Sequence, residues 1–302
     1  MTRDFFLYLS RRPWLRKWME GSGAARRVTK RFVAGDTLAD GAAACAQLQS
    51  ENLLSSLDHL GENVASLDDA AVARDAYLEA LDQVAARKLP STISLKLTQM
   101  GLDFSEDACL QNVRTLVKRA SAAGTRIEID MESTAYTDRI LSVVERIAGE
   151  CGCVRAVIQA YLFRSAADIE RLNKLGIPVR LCKGAYLEPH SAAFAEKRDV
   201  DNNYLKLMKV LLDRGTYPAL ATHDEDIQNE AQRYRRERGI GTDKFEFQML
   251  YGIRRDLQKR LAGEGYRVRV YVPYGTEWYP YFTRRLAERP ANAIFLLKNL
   301  LK

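Results

Sequence analysis

The sequence predicts an α/β fold, a (β/α)8 barrel of the distorted TIM type with extra helices at its N-terminus. Three observations predict it. Short apolar or alternating runs recur along the chain, and a helix-length stretch follows each one. Eight such strand–helix units fit into about 250 residues, the length of one barrel. No G-x-G-x-x-G follows any strand and no G-x-x-x-x-G-K-[ST] loop occurs, which disfavours a doubly wound sheet built around a dinucleotide. Strands that alternate with helical crossovers pair in parallel.

The elements follow in order. Residues 1–50 are Ala-rich and free of strand-like runs, and read as an N-terminal helical segment ahead of a barrel over 51–302. Leu53 to Leu57 is a short apolar strand leading into HLGE, and a helix follows near 67–86. Thr92 to Leu97 is a strand, with a helix near 105–122 that Gly124 ends, as a glycine does just past a helix C-terminus. Arg126 to Met131 precedes a helix near 134–149, and Val154 to Ala160 precedes one near 165–175. Gly176 and Pro178 introduce the strand PVRLCK, with a long helix near 191–213. Tyr217 to Ala221 and Phe245 to Leu250 lead into helices near 226–238 and 253–263. Arg267 to Val272 alternates charged and apolar residues, and Pro273 with Gly275 breaks the run. In the last helix Tyr281, Arg284, Arg285 and Glu288 share one face, and Phe282 with Leu286 can pack inward. Two adjacent guanidiniums there suit a carboxylate or phosphate, although the spacing alone fits a solvated basic helix end equally well.

Bulk properties narrow the function classes. The 302 residues are 47% hydrophobic, enough for a substantial core, yet no run approaches the roughly 18 apolar residues of a membrane span. The N-terminus MTRDFFLYLSRRPWLRKWME is basic and aromatic, with too short an apolar stretch for a signal peptide. This predicts a cytoplasmic protein. That segment is either a peripheral contact on the inner face of the cell membrane or a helix packed on the barrel. The net charge of +7 favours phosphates, carboxylates or acidic lipids as partners. Nucleic acid is not predicted, because the densest basic run, Arg233 to Arg238, sits on an amphipathic helix. Five scattered cysteines suggest free thiols in a reducing compartment. A lone C-x-C at Cys151 and Cys153 and three isolated histidines predict no metal site.

Chemistry in such a barrel sits at the C-terminal ends of the strands. Those ends supply Glu62, Lys96, Asp130 with Glu132, Gln159, Arg180 with Lys183, Thr222 with His223, Gln248 and Tyr271. Each alone reads as a cap or surface residue, but together around one mouth they need partners, which a large polar ligand provides. Lys96 or Lys183 is either a Schiff-base lysine or an anion clamp. Beside Arg180, Lys183 stands in a cationic field suited to a pyrophosphate, and Gly184 with Ala185 lets backbone approach a ligand. His223 has no Ser or Cys nucleophile signature to serve, so it reads as a ligand hydrogen bond or a loop residue.

In order, the strings SLKLTQMG, EIDMEST, IQAYLFRS, RLCKGAY, ATHD, FEFQMLYG and VYVPYGTEW…YFTRRLAE resemble the proline dehydrogenase family in its monofunctional bacterial form. The resemblance runs from Leu60 to Asn292. It implies a distorted (β/α)8 barrel that holds FAD without a Rossmann motif. It implies oxidation of L-proline to Δ1-pyrroline-5-carboxylate, the first step of proline catabolism, by hydride transfer from proline C5 to flavin N5. The electrons would pass to a membrane quinone, and the product to a separate pyrroline-5-carboxylate dehydrogenase, since nothing in the chain encodes the aldehyde dehydrogenase module of bifunctional members.

The resemblance also implies roles. Arg284, Arg285 and Lys96 would clamp the proline carboxylate. Tyr271 and Leu250 would wall the pyrrolidine ring. Asp130 would hold the polar network, and Glu62 would pair with Arg284 as a gate. Gln159 and Arg180 would address the isoalloxazine edge, and Lys183, Gly184 and Ala185 would lie along the flavin chain. Thr222, His223, Gln248 and Glu288 would add flavin hydrogen bonds. The residues offer no dedicated base for the proline amine, so the neighbouring cations would have to lower its pKa. Two competing readings are a Schiff-base lyase or aldolase acting on an anionic substrate and a basic, non-enzymatic module.

Overall fold

Alternation along the strands sorts the side chains onto the two faces of a closed sheet. In the computed structural model, which describes residue 29, residues 31–61 and residues 63–288, eight parallel strands close in chain order. For residues 284–288 the helix is described but not the side chains. The strands are β1 Leu54–His59, β2 Ser91–Leu95, β3 Ile127–Ile129, β4 Val154–Gln159, β5 Val179–Cys182, β6 Ala219–Ala221, β7 Glu246–Leu250 and β8 Val268–Tyr274. The ring shuts where β8 pairs with β1, from Leu54 opposite Arg269 to His59 opposite Tyr274. Between and around them run α1 Leu38–Ser50, α2 Leu67–Ala86, α3 Glu106–Ala122, α4 Thr137–Glu150, α5 Ser165–Lys174, α6 Lys197–Arg214, α7 Glu225–Glu237, α8 Arg255–Gly263 and α9 Trp278–Glu288.

Local chemistry fixes the helix ends. Ser66 and Ser105 accept hydrogen bonds from the third helical amide, and Asp224 from the second, so exposed N–H groups of α2, α3 and α7 are satisfied. Thr37 and Asp40 form a reciprocal capping box on α1. Gly124 adopts φ +67 just past α3, the left-handed conformation expected there. α1 lies against the barrel so closely that a Cβ on Gly41 would stand 2.9 Å from Leu57 and 3.1 Å from Tyr274.

Outward faces of the strands carry Leu57, Ile93, Leu95, Ile127, Ile129, Leu181, Phe247 and Val270, buried under the helices. The inward faces are polar. Ser56 and Ser94 meet at 2.8 Å. Arg155 donates to Glu128 at 3.1 Å and to Glu246 at 2.7 Å, Arg269 donates to Glu246 at 2.8 Å, and Thr92 donates to Glu128 at 2.9 Å. Burial pushes the Glu128 and Glu246 carboxyls up, but the surrounding arginines overcome it and hold both below the usual carboxylate range. Removing such charges from water costs several kcal/mol per ion, so this layer specifies one arrangement of strands more than it adds stability.

The structure corrects four boundaries. Residues 191–196 are not helical: Phe194 N–H bonds the Tyr161 carbonyl and Phe163 N–H bonds the Ala192 carbonyl, so tertiary pairing overrides the helix propensity of SAAFAEK. The first turn after β3, Thr134–Tyr136, is a 3-10 turn. β6 starts at Ala219 because Tyr217 adopts φ +44, held there by Arg155 on its carbonyl at 3.3 Å and by its own hydroxyl on Glu246 at 3.1 Å. Pro273 does not break β8. Tyr251 N–H already bonds the Tyr271 carbonyl and Leu250 opposite Tyr271 is the last β7 pair, so the missing proline donor faces a side where the ladder has ended.

Candidate active site at the strand ends

The barrel brings together four of the expected residues from four strands. Lys96 follows β2, Asp130 follows β3, Arg180 lies in β5 and Tyr271 in β8. Arg180 Nη1 donates to Asp130 Oδ1 at 2.6 Å and the Tyr271 hydroxyl donates to Asp130 Oδ2 at 2.8 Å. Lys96 Nζ stands 4.0 Å from that same Oδ2. The Arg180 guanidinium also lies 5.5 Å from the centre of the Tyr271 ring, within cation–π range. Its Nη2 bonds Ser94 at 2.9 Å and Glu128, which ties the mouth to the charged layer below. Burial disfavours the Arg180 charge, but Glu128 and Asp130 more than compensate and raise its pKa. The Tyr271 phenol is pushed well above its ordinary value, by burial first and then by the Asp130 charge. Tyr271 and Leu250 pack against a buried apolar cluster that includes Phe32, Leu60, Trp278 and Phe282, beside the charges.

The remaining candidates are also placed. Gln159 is buried and donates to the Glu132 carbonyl at 2.8 Å, while the Glu132 carboxylate accepts from Thr98 N at 3.2 Å and Thr98 Oγ1 at 2.7 Å and so fixes the loop after β2. Gln248 donates to Glu246 at 2.6 Å. Thr222 Oγ1 accepts from Asp224 N at 3.1 Å, a loop bond. His223 Nε2 accepts from Leu250 N at 2.9 Å, which puts the ring proton on Nδ1. Lys183 corrects an expectation: it does not stand in a cationic field. Its Nζ donates to Asp201 at 2.5 Å and Asp224 at 2.8 Å, because α6 and the start of α7 bring these carboxylates over it. These are the partners of an ammonium and leave little for Schiff-base chemistry. Glu62 lies outside the described residues, as do the side chains of Arg284, Arg285 and Glu288.

Two features escape sequence reasoning. Asp58, in β1, is a buried carboxyl at this mouth, and the charged layer of Glu128, Arg155, Glu246 and Arg269 underlies it. The signal was there in the alternation of RIEID, EFQM and RVRVY, since strands of a parallel sheet ordinarily read as continuous apolar runs. Among the described residues no group of His, Cys, Asp and Glu could hold a metal, and no helix is long and apolar enough to cross a membrane.

A closed parallel barrel with charged groups and an aromatic wall at its strand ends is the arrangement by which (β/α)8 enzymes bind and orient polar ligands. The family model described as proline dehydrogenase matches residues 42–298, and the chain belongs to that family of oxidoreductases. It is 43% identical over 302 residues to proline dehydrogenase 1 of Bacillus subtilis (strain 168), covering all of both chains. It is 42% identical over 280 residues to the proline dehydrogenase of Deinococcus radiodurans, covering 91% of this chain and 90% of that one. The crystal structure of proline utilization A from Bdellovibrio bacteriovorus, inactivated by N-propargylglycine, superposes with a TM-score of 0.82 at 25% identity, over 87% of this chain and 33% of that one.

Proposed function

We propose that the chain catalyses the FAD-dependent oxidation of L-proline to Δ1-pyrroline-5-carboxylate, with a membrane quinone as final acceptor and a separate dehydrogenase consuming the product. The observation that carries this reading is the Lys96–Asp130–Tyr271–Arg180 constellation in a full-length relative of proline dehydrogenases. Lys96, with Arg284 and Arg285, holds the substrate carboxylate by charge-assisted bonds. Tyr271 and Leu250 cover the ring and exclude water. Asp130 fixes Tyr271 and Arg180 in place. Glu62 pairs with Arg284 when no substrate is bound.

The residues present fit a flavin. Arg180 keeps a buried Nε without a hydrogen-bond partner among the described residues. Gly184 adopts φ +117, and a Cβ there would stand 2.3 Å from the Tyr161 ring, so only glycine lets the backbone pass. When bound, the flavin supplies the hydride acceptor. Arg180 and Gln159 would hold its isoalloxazine edge, where a cation would favour the negative charge of the reduced ring. Lys183, Gly184 and Ala185 would flank its chain, and Thr222, His223, Gln248 and Glu288 would supply further hydrogen bonds. Passing electrons to a quinone requires at least transient contact with the inner face of the membrane, and the basic, aromatic stretch MTRDFFLYLSRRPWLRKW is the segment for it.

The test is an absorbance spectrum of the purified protein before and after adding L-proline without oxygen. Flavin bands that bleach with L-proline but not with D-proline are expected. A colourless protein that stays inert after FAD is added would sink the reading.

A further inference from the structure

Asp58 is 1% exposed and is the deepest carboxyl at the mouth. Ser56, two residues before it, meets Ser94 inside the barrel at 2.8 Å. Strand alternation therefore turns Asp58 inward as well, and turns Lys96 inward two residues beyond Ser94. The register sets the neighbours: Asp58 pairs with Ser94, two residues before Lys96, while Asp130 follows the Leu95–Ile129 pair and so comes next to Lys96.

Its hydrogen bonds are too few for a buried carboxylate. Oδ1 has only the Tyr77 hydroxyl at 3.5 Å, and that hydroxyl has a closer acceptor in Gln99 at 2.9 Å. Oδ2 is buried with no hydrogen-bond partner among the described residues. The nearest phenol on the inner face, Tyr271, gives its proton to Asp130 at 2.8 Å, and its closeness to Asp58 adds a smaller stabilisation of that carboxylate than Lys96 does. The groups facing Asp58 are Lys96 just past β2, Asp130 beyond β3, Tyr271 and Tyr274 from β8, His59 of its own strand and Tyr77 of α2. Burial pushes the Asp58 carboxyl up and Lys96 is the leading influence against it. A buried carboxylate short of donors persists only beside a cation, and Lys96 is the cation here.

We propose that Asp58 is a positioning residue, whose buried charge draws on the Lys96 ammonium across the barrel mouth without an ion pair as close as that of Asp130, which stands 4.0 Å from it. A lysine on a flexible four-carbon stem then presents its charge at one height and direction. The identity of the carboxylate it meets rests on the proline reading above.

The experiment compares Asp58→Asn, Asp58→Glu, Lys96→Met and Lys96→Met/Asp58→Asn in the flavin-loaded enzyme. Asp58→Asn should raise KM for L-proline about tenfold with a smaller change in kcat. It should also move the alkaline limb of kcat/KM down by about one pH unit, because the ammonium has lost a counter-charge. Asp58→Glu should recover part of both. In the Lys96→Met background Asp58→Asn should change KM no further and should raise the melting temperature, by removing a carboxylate that has lost its cation. An unchanged KM and alkaline limb in Asp58→Asn, or equal effects with and without Lys96, would overturn the proposal. If Asp58→Asn does not fold, the melting comparison decides, and a double variant less stable than Lys96→Met overturns the pairing. A wild-type flavin that L-proline does not bleach refutes the function reading instead, and leaves the melting comparison valid.

Discussion

Arg180 and Asp130 meet across the barrel mouth at 2.6 Å, and the second oxygen of the same carboxylate takes the Tyr271 hydroxyl at 2.8 Å. Asp130 therefore uses both oxygens to join β3, β5 and β8, with Lys96 of β2 alongside. Asp130→Ala leaves Arg180 with Glu128 and Ser94 as partners and removes the acceptor of the Tyr271 hydroxyl and a carboxylate beside Lys96. A stability loss of about 2–3 kcal/mol is expected from the charged hydrogen bonds removed. A fall in kcat/KM for L-proline of about 100-fold is expected from lost orientation. Urea unfolding and steady-state kinetics measure the two. A variant with wild-type kcat/KM would show that the hub is structural only.

Tyr271→Phe separates the ring from the hydroxyl. The phenyl ring keeps its packing beside Leu250 and its place under the Arg180 guanidinium, while the bond to Asp130 disappears. A neutral donor to a charged acceptor is worth about 1.5–3 kcal/mol, so kcat/KM should fall about tenfold or somewhat more. KM carries the larger share if the ring alone forms the wall. A loss as large as that of Asp130→Ala would mean that the hydroxyl, not the carboxylate, organises the site.

Most of the fold is legible in the sequence because periodicity and caps act locally. α2 was expected near 67–86 and spans Leu67–Ala86, with Ser66 at its cap. The misses are places where distant contacts decide. SAAFAEK pairs with the loop at Tyr161 rather than coiling, and Pro273 is tolerated because β7 has stopped. In the site, Lys96, Asp130, Arg180 and Tyr271 are legible because they stand where strands end. Asp58 is not, because the apolar run stops at Leu57 while the strand continues to His59, and Glu128 is not, because it lies inside β3, below the strand end where chemistry was sought. Lys183 shows the converse: its neighbour in sequence is Arg180, but its neighbours in space are Asp201 and Asp224.

Gly184→Ala tests the cradle. The added methyl meets the Tyr161 ring at 2.3 Å, and φ +117 strains any other residue. Tyr161 is buried and its hydroxyl contacts Glu188 at 3.3 Å, so it has little freedom to yield. The expected outcome is a protein that folds but retains less flavin, with a melting temperature lowered by a few degrees, consistent with about 1–3 kcal/mol. The ratio of flavin to protein absorbance reads it directly. Full flavin occupancy in the variant would show that the backbone there does not approach the cofactor.

Thiol chemistry follows burial. Burial pushes the Cys109 thiol up to about 12 and also raises Cys45, while Cys151, Cys153 and Cys182 are partly exposed. Near neutral pH the two buried thiols carry almost no thiolate, which is the reactive form. Alkylation of the native protein, read by mass spectrometry of its peptides, should spare Cys45 and Cys109, and unfolding should expose them. Labelling of Cys109 at a rate like that of Cys151 would contradict the packing of α3 on the barrel.

The charged layer sets the acid stability. Glu128 and Glu246 lie below their ordinary range in the folded state, because Arg155, Arg180 and Arg269 outweigh the burial that pushes them up. A carboxylate depressed on folding contributes stability that is fully present above its unfolded pKa, about 4.3, and is lost as pH falls through the folded value. Asp58 has the opposite sign. Its raised carboxyl contributes stability only below about 3.9 and loses it as pH rises through the folded value, so it softens acid unfolding rather than driving it. Urea unfolding should therefore show stability falling once pH drops below about 4.3. Glu246→Gln should cost about 3–5 kcal/mol at neutral pH, since it leaves Arg155 and Arg269 short of a counter-charge. That variant should then lose less than the wild type as pH falls further, because one of the two protonation events is gone. Parallel pH curves for the two proteins would show that the acid transition belongs to surface carboxylates instead.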